Sequence, residues 1–114
     1  MGRTDQVKAV VALIKAHRNK WRISHRGKNL VAMAALGIDL DQILNEIYCG
    51  ITWQDYVSGP EADRNGIPGP IWVFGMVIEE VECYLKFQIK RGNIIFWIST
   101  HPAEYPLHYP FKSY

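Results

Sequence analysis

Tyr84, Lys86, His101, Tyr105, His108, Tyr109 and Lys112 all fall after residue 83 of a 114-residue chain. Imidazole titrates near neutrality and can take or give a proton. A lysine ammonium can stabilise the charge that builds on a phosphorane. A tyrosine can stack on a base or donate its phenolic proton. Together these groups match what RNA cleavage without a metal requires: a base for the 2′-hydroxyl, cations for the phosphorus centre, and an acid for the leaving 5′-oxygen. The segment "HPAEYPLH" spaces its two histidines in no zinc pattern, so neither a metal nor a cofactor is expected. The same residue types also serve as packing groups on a surface that merely binds, and types alone leave that alternative open.

The stretch "RGKN", residues 26–29, adds Arg26 and Lys28 as candidate phosphate contacts. At a helix N-terminus the free N–H groups and Lys28 would favour an anion. With no glycine five residues before its "GK", it is not a phosphate-binding P-loop.

Elements must hold these groups. Val7, Val10, Val11 and Ile14 recur at helical spacing and predict a first amphipathic helix. "KWRIS" alternates apolar and basic residues as a short strand would. A second helix follows "RGKN" and stops at Gly37, and Asp39 with Gln42 caps a third through Tyr48. Thr52 and Asp55 repeat the capping pattern in "TWQDY". Residues 58–70, "SGPEADRNGIPGP", contain three glycines and three prolines and predict a loop between a mostly helical part (1–57) and a β part (71–112) of one domain. "IWVFGMVIE", "ECYLKFQIK" and "NIIFWIST" then predict an antiparallel meander. In the middle run Cys83, Leu85, Phe87 and Ile89 alternate with Tyr84, Lys86, Gln88 and Lys90, so one face goes to the core and the other displays Tyr84 and Lys86. The tail carries Pro102, Pro106 and Pro110, which forbid a helix or a central strand. It should lie extended on the polar face of the sheet, bringing His101, Tyr105, Tyr109 and Lys112 near Tyr84 and Lys86. The fold class expected is α/β of the α+β kind, N-terminal helices packed on a mainly antiparallel sheet.

Composition narrows the function. Hydrophobic residues make up 48% of the chain, enough for a folded core. No apolar run approaches the ~20 residues that span a bilayer, and "AVVALI" is too short for a secretion signal. Cys49 and Cys83 form no disulfide framework, which points to a reduced, cytoplasmic setting. Residues 1–28 hold eight Lys/Arg against one acid, whereas the chain as a whole is only +2. A basic end suggests an anionic partner such as RNA.

"RGKN", "DYVSGP", "IWVFG", "CYLKF" and above all "ISTHPAEYPLHYPFK" resemble small MqsR-like toxins of bacterial type II toxin–antitoxin modules, within the wider RelE-type group of mRNA interferases. The resemblance runs from about Arg22 to Lys112, with Thr100 standing where a phenylalanine is expected. It implies a compact helix-and-sheet fold and an endoribonuclease that cleaves mRNA, with or without the ribosome, and is held in check by a cognate antitoxin. By position it implies Tyr84 and His101 as catalytic, and Lys86, Tyr105, Tyr109 and Lys112 match its pattern. With the chemistry of the residue types this gives Tyr84, Lys86 and His101 as the expected catalytic set and Arg26, Lys28, Tyr105, Tyr109 and Lys112 as the expected RNA contacts.

Overall fold

The computed structural model describes residues 2–25 and 27–112, and within them all side chains except those of residues 28, 30, 32 and 33. Three long strands carry the second half: β3 (Ile71–Ile78), β4 (Val81–Lys90) and β5 (Ile94–Pro102). Glu79 and Glu80, both at positive φ (50° and 67°), make the two-residue turn that joins β3 to β4 with the twist an antiparallel pair favours. The first half supplies α1 (Arg3–Ala16), β1 (Trp21–Ile23), α2 (Gly27–Leu36) and α3 (Leu40–Gly50), and then β2 (Tyr56–Glu61). The sheet order is β1-β5-β4-β3-β2, antiparallel throughout except for the parallel β1–β5 pair. This is an α+β fold with its N-terminal helix packed on a mixed sheet.

The core lies between the helices and one face of the sheet. Val7, Val10, Val11 and Ile14 of α1 and Ile43, Leu44 and Ile47 of α3 meet Trp72, Phe74, Leu85, Phe87, Ile95 and Trp97. Leu85 and Phe87 are fully buried and Lys86 between them is half-buried, which is the register that the alternation predicts. The indole of Trp21 donates to the Ile14 carbonyl (2.8 Å), tying the end of α1 to β1. Asp39 accepts from the Gln42 N–H (2.8 Å), the predicted cap of α3.

The predicted loop begins later than expected, because residues 56–61 pair with β3 as an edge strand. Pro60 is tolerated there because an edge strand has one side without ladder partners, and the irregular register around Ser58 takes up the misfit. The remainder of the loop is pinned. Gln88, on the open face of β4, is 1% exposed and donates from Nε2 to the carbonyls of Ile67 (3.1 Å) and Gly69 (3.0 Å). Gly69 has φ of +123°, and any Cβ there would collide with the Ile89 carbonyl. So the loop is drawn down onto the outer face.

Cys83 sits on the core face at 1% exposure, and burial raises its thiol to about 11, helped by the nearby charges of Glu46 and Glu82. Cys49 is exposed. Iodoacetamide at neutral pH should therefore label Cys49 in the folded chain and reach Cys83 only in denaturant. Equal labelling of both without denaturant would contradict the placement of β4.

Candidate functional site: a cleft on the outer face of the sheet

The outer face is built by pairing. Tyr84 lies directly opposite His101, and Lys86 directly opposite Ser99. In an antiparallel pair such neighbours share a face within side-chain contact. The rings of Tyr84 and His101 are stacked, with centroids 5.5 Å apart and planes 21° from parallel. His101 Nδ1 lies 2.9 Å from the Pro102 carbonyl. A carbonyl only accepts, so Nδ1 carries the hydrogen and Nε2 is the nitrogen left to exchange a proton.

The tail supplies the wall. Its first anchor is Glu82, which projects from the outer face of β4. The Ala103 N–H donates to the Glu82 carbonyl (2.9 Å), the Leu107 N–H to its Oε1 (3.2 Å) and the Tyr109 hydroxyl to its Oε2 (2.9 Å). Gly75 of β3, opposite Tyr84, leaves the space over which Leu107 and Tyr109 cross. The second anchor is Phe111, stacked on Tyr56 at 5.2 Å and packed by Trp53 at 5.8 Å. Between sheet and tail lies a cavity of about 350 Å³, within the ~300–1,000 Å³ range of ligand clefts. Tyr84, Lys86, Ser99 and His101 form its floor, and Glu104, Tyr105 and Leu107 its side.

Lys86 also faces a second hollow of about 270 Å³ under the pinned loop, where Glu61, Asp63 and Arg64 stand. Lys86 thus stands where two hollows meet, and an extended ligand crossing both would pass over its ammonium.

Of the residues predicted as site groups, Tyr84, Lys86, His101 and Tyr105 come together. Tyr105 is 78% exposed at the cavity rim, open to stacking. Tyr109 and Lys112 do not line the cavity. Tyr109 is buried and bonded to Glu82, and Lys112 lies 3.2 Å from Asp55 and 4.1 Å from the centre of the Tyr109 ring. Both secure the tail. Arg26 and the side chain of Lys28 lie outside the described residues. Elsewhere in the basic N-terminal stretch, Arg18 packs on Trp21 and bonds Asn45 (3.0 Å), and Lys20 bonds the Gly92 carbonyl (2.9 Å). Arg22 lies beside Phe96, on the same face as the cavity, with Lys90 over the Phe96 ring at 4.2 Å.

Sequence reasoning missed Ser99, Glu104 and the anchor Glu82. Ser99 is two residues before His101 and so shares its face, a signal that was available. Nothing periodic marks Glu104 or the partnership of Glu82 with the tail. Among the described residues no three His, Cys, Asp or Glu side chains are grouped to hold a metal ion, and no helix is long and apolar enough to cross a membrane. No family model, curated protein or solved structure matches the chain.

Proposed function

We propose that the chain is an endoribonuclease that cleaves single-stranded RNA with side chains alone, using the outer-face cavity as its active site. The observation that carries this is the Tyr84–His101 stack beside Lys86 on the floor of an open cleft. His101 Nε2 takes the 2′-hydroxyl proton, and the freed oxygen attacks the adjacent phosphorus. Lys86 faces the non-bridging oxygens as charge builds on them. The bond to the 5′-oxygen then breaks, and the leaving oxygen takes a proton, for which the Tyr84 phenol is the candidate donor. The products are a 2′,3′-cyclic phosphate and a 5′-hydroxyl. Tyr105 at the rim offers a stacking platform for a neighbouring base. The strand runs from there across Lys86 towards Arg64, and Arg22 and Lys90 extend the cationic surface.

The likeness of the tail and of "CYLKF" to MqsR-like toxins supports a narrower form of the proposal: a cytoplasmic toxin acting on mRNA and silenced by a cognate antitoxin. Induced expression in bacteria tests it. Growth should stop and total RNA should fragment. Normal growth with intact RNA, at confirmed expression of folded protein, would favour a non-catalytic binding module instead.

A further inference from the structure

His101 reaches Tyr84 only because β5 breaks its own alternation. Ile95 and Trp97 point into the core, opposite Ile89 and Phe87. Strict period-two continuation would send Ser99 and His101 into the core as well. The register shifts between Lys86 and Phe87: Phe87 pairs with Trp97, yet Lys86 pairs with Ser99, so Ile98 is an extra residue. That one-residue bulge turns Thr100 inward and Ser99 and His101 outward. The inward Thr100 is 2% exposed, and its Oγ1 has no hydrogen-bond partner among the described residues.

A bulge breaks ladder bonds, and something must hold the freed groups. β1 ends at Ile23, opposite Trp97, so among the described residues no strand lies beside the edge of β5 beyond that point. Asn29, near the start of α2 and fully buried, takes the place of one. Its Nδ2 donates to the Ile98 carbonyl (3.1 Å) and to the Ser24 carbonyl (3.1 Å). Its Oδ1 accepts from the Thr100 N–H (3.0 Å). One carboxamide thus grips the backbone on both sides of Ser99, as a neighbouring strand would.

We propose that Asn29 is a positioning residue for the site: by clamping the Ile98 bulge it sets which face of the sheet His101 occupies. The functional consequence rests on the ribonuclease assignment above, whereas the geometric one does not. Alanine at position 29 leaves a buried N–H and a buried carbonyl without partners. Slipping β5 back to regular pairing relieves them and carries His101 away from Tyr84.

NMR tests the geometry without reference to catalysis. Wild type should show nuclear Overhauser cross-peaks between the ring protons of Tyr84 and His101, and these should vanish in folded Asn29→Ala. RNA cleavage by Asn29→Ala should show kcat reduced about 100-fold or more, the low end of acid–base contributions, with KM little changed because the cavity rim stays in place. Asn29→Asp covers the case in which the alanine variant does not fold. Its carboxylate still accepts from Thr100 but cannot donate to Ile98, and the same cross-peaks should be missing. Cross-peaks and kcat as in wild type in a folded Asn29 variant would overturn the clamp. If the cross-peaks vanish in the variants while the wild-type chain leaves RNA intact, the clamp stands and the ribonuclease assignment falls.

Discussion

Replacing His101 by alanine is expected to slow RNA cleavage by about 10²–10⁴-fold, the range that a positioned acid or base contributes. The fold should survive. His101 is near the end of β5 on the outer face, outside the core between helices and sheet. Its hydrogen bond goes to the adjacent Pro102 carbonyl and holds no distant element. Glutamine at 101 separates catalysis from binding, because it keeps polarity and hydrogen bonding but cannot exchange a proton near neutrality. An active site loses activity with either substitution, whereas a surface that merely grips RNA tolerates glutamine. Tyr84→Phe then resolves the phenol. A large loss marks its hydroxyl as a proton donor or phosphate contact, and near wild-type activity leaves it a stacking role.

The second large effect is expected at Gly75. A Cβ there would stand 2.5 Å from both Leu107 Cδ1 and Tyr109 Oη. Leu107 could swing aside, but the Tyr109 hydroxyl cannot move far without giving up Glu82. Gly75→Val should therefore cost about 1–3 kcal/mol, the range for overpacking a filled site, and it should lift the tail from the sheet. Loss of the wall removes Tyr105 and Glu104 from the cavity, so cleavage should fall along with stability. Limited proteolysis between residues 103 and 112 would reveal the lifted tail. A Gly75→Val protein with wild-type melting and an intact, protected tail would show that the tail does not cross there.

How much of this was legible in the sequence differs from element to element. The β3–β4–β5 meander was, because Leu85 and Phe87 alternate with Lys86 and Gly92 and Asn93 mark the turn before β5, although Glu79 and Glu80 carry no such signal for the turn before β4. β2 was not, since "YVSGPE" has the glycine and proline of a loop and is a strand only through its edge pairing with β3. The prolines of the tail excluded a helix, and its polar and aromatic residues pointed to the outer face where it lies, but Pro102, expected outside the sheet, closes β5 opposite Cys83. The work of its individual residues depended on partners far away in the chain: Tyr109 on Glu82, 27 residues earlier, and Lys112 on Asp55. "RGKN" illustrates the limit best. Its charges drew attention to Arg26 and Lys28 and away from Asn29, whose side chain bonds the backbone of β5. The bulge at Ile98 has no signature in "NIIFWISTH", and alternation from Ile95 and Trp97 alone would have turned His101 towards the helices, whereas it is buried on the outer face at 6% exposure. A period-two pattern cannot announce its own interruption.

The most direct test of the central claim is the chemistry of the cut ends. Purified chain should be incubated with a single-stranded RNA in excess EDTA and the product termini identified by mass spectrometry. Cleavage through an attacking 2′-oxygen, driven by His101, Tyr84 and Lys86, predicts fragments with 2′,3′-cyclic phosphate and 5′-hydroxyl ends, formed as fast as without chelator and absent on RNA with a 2′-deoxy substitution at the cut position. Fragments ending in 3′-hydroxyl and 5′-phosphate, or cleavage abolished by EDTA, would contradict it.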